Sequence, residues 1–488
     1  TGFRTMKPLL AFLLLQFAAA SSDNWWRNQK LPELHRLLQQ RPAPATPPSC
    51  EGRVFFPSCY GADPTGEEDS SDAIGRAVEE AFGVESRGKK LVNGIKDLGG
   101  VVVDLQGGNY RISRPIRFPS GGGGNVVVQG GTLRASDAFP GDRHLVELWS
   151  PKSKKSDPAH DGGGGAAPSS EIYYEDVTFR DVVFDSSFRG GGFFAVDSAR
   201  VRITDCTFLH FTTQGILVHR GHETLVSSTF LGQHSTVGAD AGERRFSGTA
   251  VYLFSNDNAV TDVVIFSAAV GVLVRGQANV LTGVHCYNKA AAFGGVGIWV
   301  RLPGLSQTRI QNCYLDYTGV VMEDPVQVHV SGGFFLGDAN VVIRAGKKRQ
   351  ISGVTVVDNM FSGDAEKMKP IVELKGEFTA VDQVVIERNN VRGMGLRSTA
   401  AALTVAGNGT KWVADFSRLL VFPGRISHFQ YSFYHRNIEG KLGFPAHGVT
   451  NVSGNVVVVE SDRAVSAVVS VAVDQYNRIG EKPVSSSV

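Results

Sequence analysis

Short apolar runs recur along the chain between residues 177 and 374, at intervals of roughly 20 to 30 residues. Small or polar residues precede each run, a turn follows it, and a second apolar run comes next. Runs that are short, β-branched and bounded by glycine are typical of strands. The first runs of these units are 193–196, 215–218, 249–253, 271–274, 297–300, 319–322, 340–343 and 371–374.

A repeat of this size predicts a solenoid, because no single unit can bury its own apolar face. Two or three strands per unit, with no helical period between them, favour a parallel β-helix. The units are rich in Val and Gly and uneven in length, which disfavours a leucine-rich repeat. The 57 glycines suit tight turns, and 488 residues with 42% hydrophobic content can bury a large core.

An amphipathic helix is predicted ahead of the repeats. Ser70 or Ser71 is expected to accept hydrogen bonds from its first free amides, and Asp72 suits the positive end of its dipole. Such a helix would cover the open end of the solenoid, whose edge strands otherwise invite pairing. Its apolar stripe is Ile74, Ala77, Val78, Ala81 and Phe82.

The start of the chain predicts a secretory signal peptide over residues 1–20. Lys7 is followed by an apolar run at 9–15 and by small residues that suit cleavage after Ala20. The residues before Met6 precede the expected initiator. The apolar run is too short for a membrane span, so we expect a secreted protein.

Three further segments follow in the predicted domain organisation. Residues 21–53 form a propeptide-like segment that ends in a Pro-rich linker. Residues 54–399 form the parallel β-helix. From residue 400 the period is lost, and residues 400–488 are expected to form a small β-rich C-terminal cap.

The five cysteines predict one disulfide and three buried thiols. Cys50 and Cys59 are close enough in sequence to pair, which secretion permits. Cys206, Cys286 and Cys313 fall at similar places in their units, which suggests thiols buried along the stack. The spacing of a zinc site is absent, so no metal ligands are expected.

Charge and sequons add two expectations. The net charge is only +2, which gives no strong case for binding nucleic acid or an anionic membrane. Asn408-Gly409-Thr410 and Asn451-Val452-Ser453 are N-glycosylation sequons, so Asn408 and Asn451 are expected to carry glycans in a secreted protein.

Several motifs resemble those of one family. Tyr60-Gly61-Ala62-Asp63-Pro64-Thr65-Gly66 and Asp69-Ser70-Ser71-Asp72-Ala73-Ile74 resemble the entry motif of the pectin-lyase-like superfamily. Gly232-Gln233-His234-Ser235-Thr236-Val237-Gly238 and Leu315-Asp316-Tyr317-Thr318-Gly319 are similar to plant polygalacturonases of the QUARTET type. The resemblance covers nearly the whole chain after the linker. It implies a right-handed, pectate-lyase-3-like parallel β-helix in the cell wall that acts on homogalacturonan.

Two adjacent repeats supply a candidate pair of catalytic carboxyl groups. Glycoside hydrolysis needs one carboxylic acid to protonate the leaving oxygen and one carboxylate to activate water or attack carbon. Aligning residues 320–322 with 341–343 places Asp338 opposite Tyr317 and offsets Asp316 by one residue. Adjacent repeats lie roughly 4.8 Å apart, and the offset lengthens the distance between the two carboxyl groups. That distance then approaches the roughly 6.5–9.5 Å found between the two carboxyl groups of inverting enzymes.

The same pair partly resembles the polygalacturonase pattern of Asn-Thr-Asp followed one coil later by Gly-Asp-Asp. No aspartate lies between Thr318 and Gly319, Ala339 replaces the second Asp, and no Gly-His-Gly or Arg-Ile-Lys follows. On this basis Asp338 is assigned as general acid and Asp316 as base. The alternative is that both are turn aspartates that bond their own backbone.

A second group of polar residues lies upstream, where a histidine could orient an acid. The alternative is that these histidines are surface or core hydrogen-bonding groups. The less favoured catalytic candidates are Asp185, Asp205 and His234, with His210, His219 and His222 nearby. Asp257 and Asp262 flank a later repeat and are candidates for either group, whereas the favoured interpretation of Asn256 and Asn258 is a polar ladder.

Cations that follow the aligned strands predict the binding of a polyanion. Arginine can bind galacturonate carboxylates in a bidentate manner. Tyr317 and Trp299 could stack on sugar rings or pack at an edge. The cations are Arg275, Arg301, Arg344 and Lys347, with Lys348 and Arg349 beside it; residues 347–349 are equally consistent with a solvated loop.

The sequence and the resemblance together predict a secreted polygalacturonase-like glycoside hydrolase that acts on pectin in the cell wall, by inversion and without a cofactor, in pollen or cell separation. It is expected to be a monomer whose partner is pectic polysaccharide. One alternative is a pectate lyase, which commonly needs calcium, although no concentrated acidic cluster is evident. The other is a β-helix that binds pectin without cleaving it.

Overall fold

The computed structural model describes residues 52–85, 88, 90–92, 94–149, 171–234, 246–287, 295–436 and 443–476. These residues belong to one compact unit, Cys50–Val488. The predicted signal peptide, the propeptide-like segment up to residue 51 and Cys50 lie outside the described residues. The predicted domain boundaries stay predictions.

The described chain begins with β1 (Val54–Phe55), a 3-10 helix (Pro57–Tyr60) and helix α1 (Ser71–Gly83). The next strands are β2 (Asp97–Asp104), β3 (Asn109–Ile112), β4 (Ile116–Arg117), β5 (Gly123–Ala135), β6 (His144–Leu148), β7 (Tyr174–Asp185), β8 (Gly191–Ala199), β9 (Arg202–Thr204), β10 (Thr207–Leu209), β11 (Gln214–His222), β12 (Leu225–Ser227) and β13 (Phe230–Gly232). They are followed by β14 (Thr249–Asn256), β15 (Ala259–Thr261), β16 (Val264–Phe266), β17 (Val270–Val274), β18 (Val280–Thr282), β19 (His285–Tyr287), β20 (Val296–Val300), β21 (Gly304–Gln311), β22 (Tyr314–Asp316), β23 (Val320–Glu323), β24 (Pro325–Ser331) and β25 (Phe334–Leu336). The last are β26 (Val341–Arg344), β27 (Gln350–Val357), β28 (Met360–Ser362), β29 (Val372–Lys375), β30 (Ala380–Asp382), β31 (Val385–Glu387), β32 (Asn390–Arg392), β33 (Ala400–Asp415), β34 (His428–His435), β35 (His447–Ser453) and β36 (Val456–Asp474).

Strands β1 to β32 pair in parallel and wind into coils with three faces. Each coil gives one strand to each of three sheets, as β20, β21 and β22 do. Sheet A contains β4, β6, β8, β11, β14, β17, β20, β23, β26 and β29. Sheet B contains β1, β2, β9, β12, β15, β18, β21, β24, β27, β30 and β31, and sheet C contains β3, β10, β13, β16, β19, β22, β25, β28 and β32. The long strands β5 and β7 belong to both B and C.

Equivalent residues of successive coils stand in columns, and the central column of each sheet fills the core. In sheet C, Phe184 stacks on Phe208 with ring centroids 4.4 Å apart, and Phe335 stacks on Phe361 at the same distance. All four rings are buried. The alternation of side chains in strands sends these residues inward and their neighbours outward, so one sequence period produces both a core and outward-facing columns.

The connection from sheet B to sheet C is a two-residue turn whose first residue has a left-handed backbone. Asp205, Asp262 and Asp358 occupy this position with φ of 53°, 51° and 58°. Aspartate tolerates this conformation better than most residues, because its short side chain can bond locally. These aspartates therefore have a structural reason for their place.

A buried polar ladder joins coils at the turn from sheet A to sheet B, as predicted around Asn258. The side-chain amide of Asn258 donates to Oδ1 of Asn279 at 2.8 Å, and its own Oδ1 accepts the amide N–H of Thr224 at 3.0 Å. Asn256 accepts from the amide N–H of Gln277 at 2.8 Å. The ladder satisfies turn backbone groups that parallel strands leave unpaired.

Helix α1 lies at the N-terminal end of the stack, as predicted, and buries its apolar stripe there. The ring of Phe82 meets those of Phe118 and Tyr174 at 5.2 and 6.3 Å. The predicted cap is wrong in detail. Ser70 is the N-cap residue, but its hydroxyl accepts the amide N–H of Asp63 at 2.9 Å, and no side chain caps the helix.

Strands β33 to β36 form a separate antiparallel sheet with its own core around Trp412, Phe416 and Val469. The prediction of an all-β parallel β-helix with an N-terminal helix and a β-rich C-terminal region is confirmed. No helix among the described residues is long and apolar enough to cross a membrane.

The polar ladder generates a stability prediction. Asn258→Ala leaves the buried Thr224 N–H without its partner and removes one of the two hydrogen bonds to Oδ1 of Asn279, which keeps the backbone N–H of residue 258, so we expect a loss of about 1–3 kcal/mol. Denaturant unfolding followed by circular dichroism measures it. Asn390→Ala, at an exposed position of sheet C, is the matched control, and an equal effect of both changes would contradict the assigned role of the ladder.

Candidate functional site

The outward-facing side of sheet C carries the first candidate acid. Asp316 is the last residue of β22, and its neighbours in register are Tyr287 on the preceding coil and Leu336 on the following coil. Its carboxyl group is half-buried, and no hydrogen bond or ion pair to it is found in the described part of the chain. Burial raises the pKa of Asp316 above its ordinary value. The neutral form of Asp316 therefore persists to higher pH than that of an exposed aspartate.

Aromatic residues surround Asp316 in sequence and in register. Tyr314 and Tyr317 flank Asp316 in sequence, and the Tyr317 ring lies 6.0 Å from that of Tyr287. The ring of Tyr317 also packs over the backbone of Gly337, where a Cβ atom would come within 2.5 Å of it. Apolar walls without a counter-ion are the setting in which a carboxylic acid resists ionisation.

Asp338 has a different environment in the turn that follows β25. Its Oδ1 accepts the amide N–H of Asp364 at 2.7 Å, and its Oδ2 lies 3.3 Å from Nζ of Lys367. Lys369 donates to its carbonyl oxygen at 3.0 Å. Hydrogen bonds to Asp364 and then to Asp338 raise the pKa of Lys367, so its ammonium group is held beside the Asp338 carboxyl group.

The predicted register of the two repeats is confirmed in sheet A, where Val320 pairs with Val341 and Met322 with Ile343. In sheet C, Asp316 pairs with Leu336, so Asp338 lies two residues further along. The two aspartates stand on successive coils, but the Asp338 carboxylate turns to the coil after its own. Their environments differ, because burial raises the pKa of Asp316 whereas Asp338 pairs with Lys367, and the roles predicted for the two stay predictions.

Asp185 and His210 form the second candidate site. Nδ1 of His210 lies 2.7 Å from Oδ1 of Asp185, and Nε of Arg134 lies 3.2 Å from Oδ2. The amide of Ser187 donates to the same carboxylate at 3.0 Å. Burial alone would raise the pKa of Asp185, but the hydrogen bond and charge of His210, with the smaller effects of Ser187 and Arg134, hold it below its ordinary value. This carboxylate is built as an anion.

Phe188 joins His234 to this site, since its ring lies 4.7 Å from His210 and 5.4 Å from His234. The grouping of Asp205 with them is wrong. Asp205 lies in the turn between sheets B and C, whereas Asp185 and His210 lie where sheet C leads into sheet A.

His219 and His222 also lie elsewhere, on β11 of sheet A. The ring of His219 stacks on Phe254 at 5.0 Å.

Asp185 and Asp316 share one outward column of sheet C, five coils apart. At one coil per roughly 4.8 Å they are roughly 24 Å apart, so the two candidate sites are separate centres.

The predicted substrate-binding arginines do stand in one column, on the outward-facing side of sheet A. Successive coils place Arg275, Arg301, Glu323, Arg344 and Lys375 at equivalent positions. Glu323 was not predicted as a site residue. The aligned repeats could have identified it, because it follows Met322 as Arg344 follows Ile343. Its Oε2 lies 3.9 Å from Nε of Arg301.

Aromatic side chains support this column. The guanidinium of Arg275 lies 4.6 Å from the centroid of Phe254, and its Nη1 donates to the Tyr252 hydroxyl at 3.1 Å. Arg301 and Arg344 lie 5.1 and 5.8 Å from the ring of Trp299. Such cation–π contacts pre-position charged groups for an anionic ligand.

Two predicted binding residues are not part of this column. Tyr317 lies beside Asp316 on sheet C, separate from the arginines. Lys347 lies in an exposed turn that Asp324 organises, since its carboxylate accepts the amides of Gly346 and Lys348 at 2.8 Å each. These hydrogen bonds support the interpretation of residues 347–349 as a solvated loop.

The cysteines and sequons are placed as follows. Cys59 is disulfide-bonded, and its predicted pairing with Cys50 stays a prediction. Cys206, Cys286 and Cys313 are free and buried, but only Cys206 and Cys313 share a position, because Cys286 lies at the centre of β19. Asn408 and Asn451 are exposed, and their glycosylation stays a prediction. No group of three His, Cys, Asp or Glu side chains that could hold a metal is found among the described residues.

Known proteins resemble this chain in sequence and in fold. It is 51% identical over 440 residues to Polygalacturonase QRT3 of Arabidopsis thaliana. The aligned residues cover 89% of this chain and 87% of that protein. No model of a known protein family matches the chain.

Two solved structures share its fold. ORF18 of Geobacillus virus E2 has a TM-score of 0.52 at 12% identity, over 96% of this chain and 85% of that one. A tailspike protein mutant of E. coli bacteriophage HK620, in complex with a pentasaccharide, has a TM-score of 0.52 at 12% identity, over 91% of this chain and 100% of that one. At these identities the likeness shows the fold alone.

The environment of Asp316 predicts a stability effect that depends on pH. Its folded-state pKa lies above its unfolded value, so ionisation costs stability as pH rises through this window, and the full cost is present above the folded pKa. Asp316→Asn cannot ionise, so its melting temperature should exceed that of the wild type at pH 7 and match it near pH 3.

Thermal unfolding at both pH values measures this effect. Asp257→Asn, the same change at an exposed turn, is the control and should show no such gain at either pH. A destabilised Asp316→Asn at pH 7 would contradict the assigned environment.

Proposed function

The chain belongs to the family of the QRT3 polygalacturonase, and from this premise we propose that it is a secreted glycoside hydrolase that cleaves α-1,4-linked galacturonan of the plant cell wall. Membership of this family makes the chain a polygalacturonase-like protein. Hydrolysis, secretion and location in the wall are the proposal. The apolar segment at residues 9–15, the two sequons and the disulfide-bonded Cys59 support secretion.

One observation carries the proposed mechanism, which is the burial of Asp316 without a counter-ion. A general acid must hold its proton until the glycosidic oxygen needs it, and a raised pKa widens the pH range over which Asp316 does so. Asp316 is therefore the general acid, which reverses the role assigned from sequence. Its position on the outward-facing side of sheet C leaves it accessible to a polymer that lies along the β-helix.

Asp338 supplies the second carboxyl group in this mechanism. It pairs with Lys367 and stands on the next coil, two residues past the partner of Asp316. In inverting enzymes the two carboxyl groups lie roughly 6.5–9.5 Å apart, which leaves room for the water that Asp338 would activate as base.

Lys367 sets a condition on that role. It occupies one oxygen of Asp338, and Asp364 N–H occupies the other. A galacturonate carboxylate would compete for Lys367 and free an oxygen of Asp338 to accept a proton. If no such competition occurs, Asp338 stays paired and the protein binds pectin without hydrolysing it, which is the second candidate function.

The arginine column on sheet A would capture the polymer electrostatically. Its cations face solvent in a line along the β-helix, and a polyanion with one carboxylate per sugar can engage several of them at once. The column lies around a corner from Asp316, so its contribution is to affinity and association rate rather than to the bond-breaking step.

The first test is hydrolysis of polygalacturonic acid and of pectin by the purified protein. New reducing ends without the ultraviolet absorbance of an unsaturated product are expected, and Asp316→Asn should lower the rate by about 10²- to 10⁴-fold. Asp257→Asn is the matched control with full activity. Unsaturated products would show a lyase, and an active Asp316→Asn would reject this acid.

The second test concerns the arginine column. Arg301→Gln combined with Arg344→Gln should weaken binding to polygalacturonic acid by roughly three- to tenfold at low salt, with little effect at high salt. Arg309→Gln, an exposed arginine on sheet B, controls for lost net charge. A loss that persists at high salt would show that the arginines act by another means.

A further inference from the structure

The outward-facing side of sheet C is mostly aromatic over five coils. We name as the aromatic face the six residues Phe230, Phe266, Tyr287, Tyr314, Tyr317 and Phe334. All but Tyr317 lie at outward positions of β13, β16, β19, β22 and β25, and Tyr317 directly follows β22.

The rings form continuous contacts along the axis of the β-helix. Centroids lie 5.5 Å apart from Phe230 to Phe266 and from Phe266 to Tyr287, and 6.0 Å apart from Tyr287 to Tyr317. On the neighbouring column, the Tyr314 and Phe334 rings lie 5.8 Å apart. Phe334 is 43% exposed and Tyr317 is 40% exposed. A contiguous patch of this kind marks an interaction surface.

The face is almost uncharged. In strands β13, β16, β19, β22, β25 and β28 the only Asp, Glu, Lys or Arg is Asp316. His285 of β19 is neutral, because burial lowers its pKa to about 4. An anionic sugar therefore finds no ion-pair partner on these strands, whereas the ring faces offer apolar contact to the C–H groups of a sugar.

The dimensions suit a polymer that lies along the stack. Four coil steps separate Phe230 from Phe334, which is roughly 19 Å at one coil per roughly 4.8 Å. One sugar unit of a linear polysaccharide has about the length of one coil. Successive sugars can therefore meet successive rings, with Asp316 on the path between them.

We propose that the aromatic face is a binding track for galacturonan that holds the polymer along the β-helix axis by apolar contact between its sugar rings and the aromatic side chains, and that it accepts methyl-esterified and free-acid galacturonan alike. The identity of the polymer rests on the proposed function. On these strands an ester loses no ion pair and a carboxylate gains none, so the ring contacts themselves do not depend on salt, unlike an ion pair between a free carboxylate and Lys367 in the turn beside the track. This separates the track from the arginine column, which requires free carboxylates.

The track is tested by binding rather than by cleavage. The full-length Asp316→Asn protein is titrated with polygalacturonic acid and with highly methyl-esterified homogalacturonan, each at low and at high salt. In this background, Phe334→Ala should weaken binding of both polymers by about three- to tenfold at both salt concentrations. Phe334→Leu keeps an apolar side chain without a ring and should weaken binding similarly while preserving the fold.

The matched control is Phe429→Ala, an exposed phenylalanine of the C-terminal sheet, which should bind both polymers as the parent does. Unchanged affinity in both Phe334 variants would overturn the proposal, as would a loss confined to the free acid or abolished by salt. A change in self-association, with polymer binding unchanged, would make the face a contact between copies of this chain and would also overturn it. Hydrolysis retained by Asp316→Asn would reject the catalytic assignment alone, because the binding measurement does not depend on it.

Discussion

Parallel pairing of one coil on the next is the interaction on which the rest of the structure depends. It fixes the spacing of roughly 4.8 Å between equivalent residues and keeps similar side chains in register over many coils. The core, the asparagine ladder, the arginine column and the aromatic face are all columns produced by this register. A side chain on one coil acquires its neighbours from residues some 20 to 30 positions away, so local sequence alone does not describe its environment.

The three sheets give this molecule outward sides of different chemistry. Sheet A presents a line of cations on aromatic supports, which suits the charge of a polyanion. Over β13 to β28, sheet C presents aromatic rings and the half-buried carboxyl group of Asp316, whose pKa burial raises. Long-range attraction and bond cleavage make opposite demands on charge, because a nearby cation would ionise the acid that hydrolysis needs in its protonated form. Placing the two on different sheets of one coil satisfies both.

Much of the fold could be predicted from the sequence. The recurrent Val- and Gly-rich runs predicted the parallel β-helix, the apolar stripe from Ile74 to Phe82 predicted helix α1, and Asn258 was expected in a polar ladder. The resemblance to plant polygalacturonases, stated from motifs such as Leu315-Asp316-Tyr317-Thr318-Gly319, is confirmed by the relationship to QRT3. Periodic burial leaves a strong signal because every coil repeats it.

The candidate site was less predictable, because its chemistry depends on register and turn geometry. Alignment in sheet A was right, yet the turn after β25 contains one more residue than the turn after β22, which sends Asp338 to Lys367 and leaves Asp316 among rings. Asp205 was grouped with Asp185 from the sequence, but it lies in the turn between sheets B and C, whereas Asp185 lies where sheet C leads into sheet A. The aromatic face was not predicted because each of its strands is only three residues long.

The proposed mechanism depends on the pKa of Asp316, which burial on the outward-facing side of sheet C raises above its ordinary value. Carbon-13 NMR of protein labelled at aspartate carboxyl groups, compared between the wild type and Asp316→Asn, isolates its titration. We expect a resonance that is missing from the variant and whose midpoint lies above the ordinary range of aspartate. A midpoint within or below that range would contradict the assignment of Asp316 as general acid, because its carboxyl group would then lose its proton as readily as an exposed aspartate does.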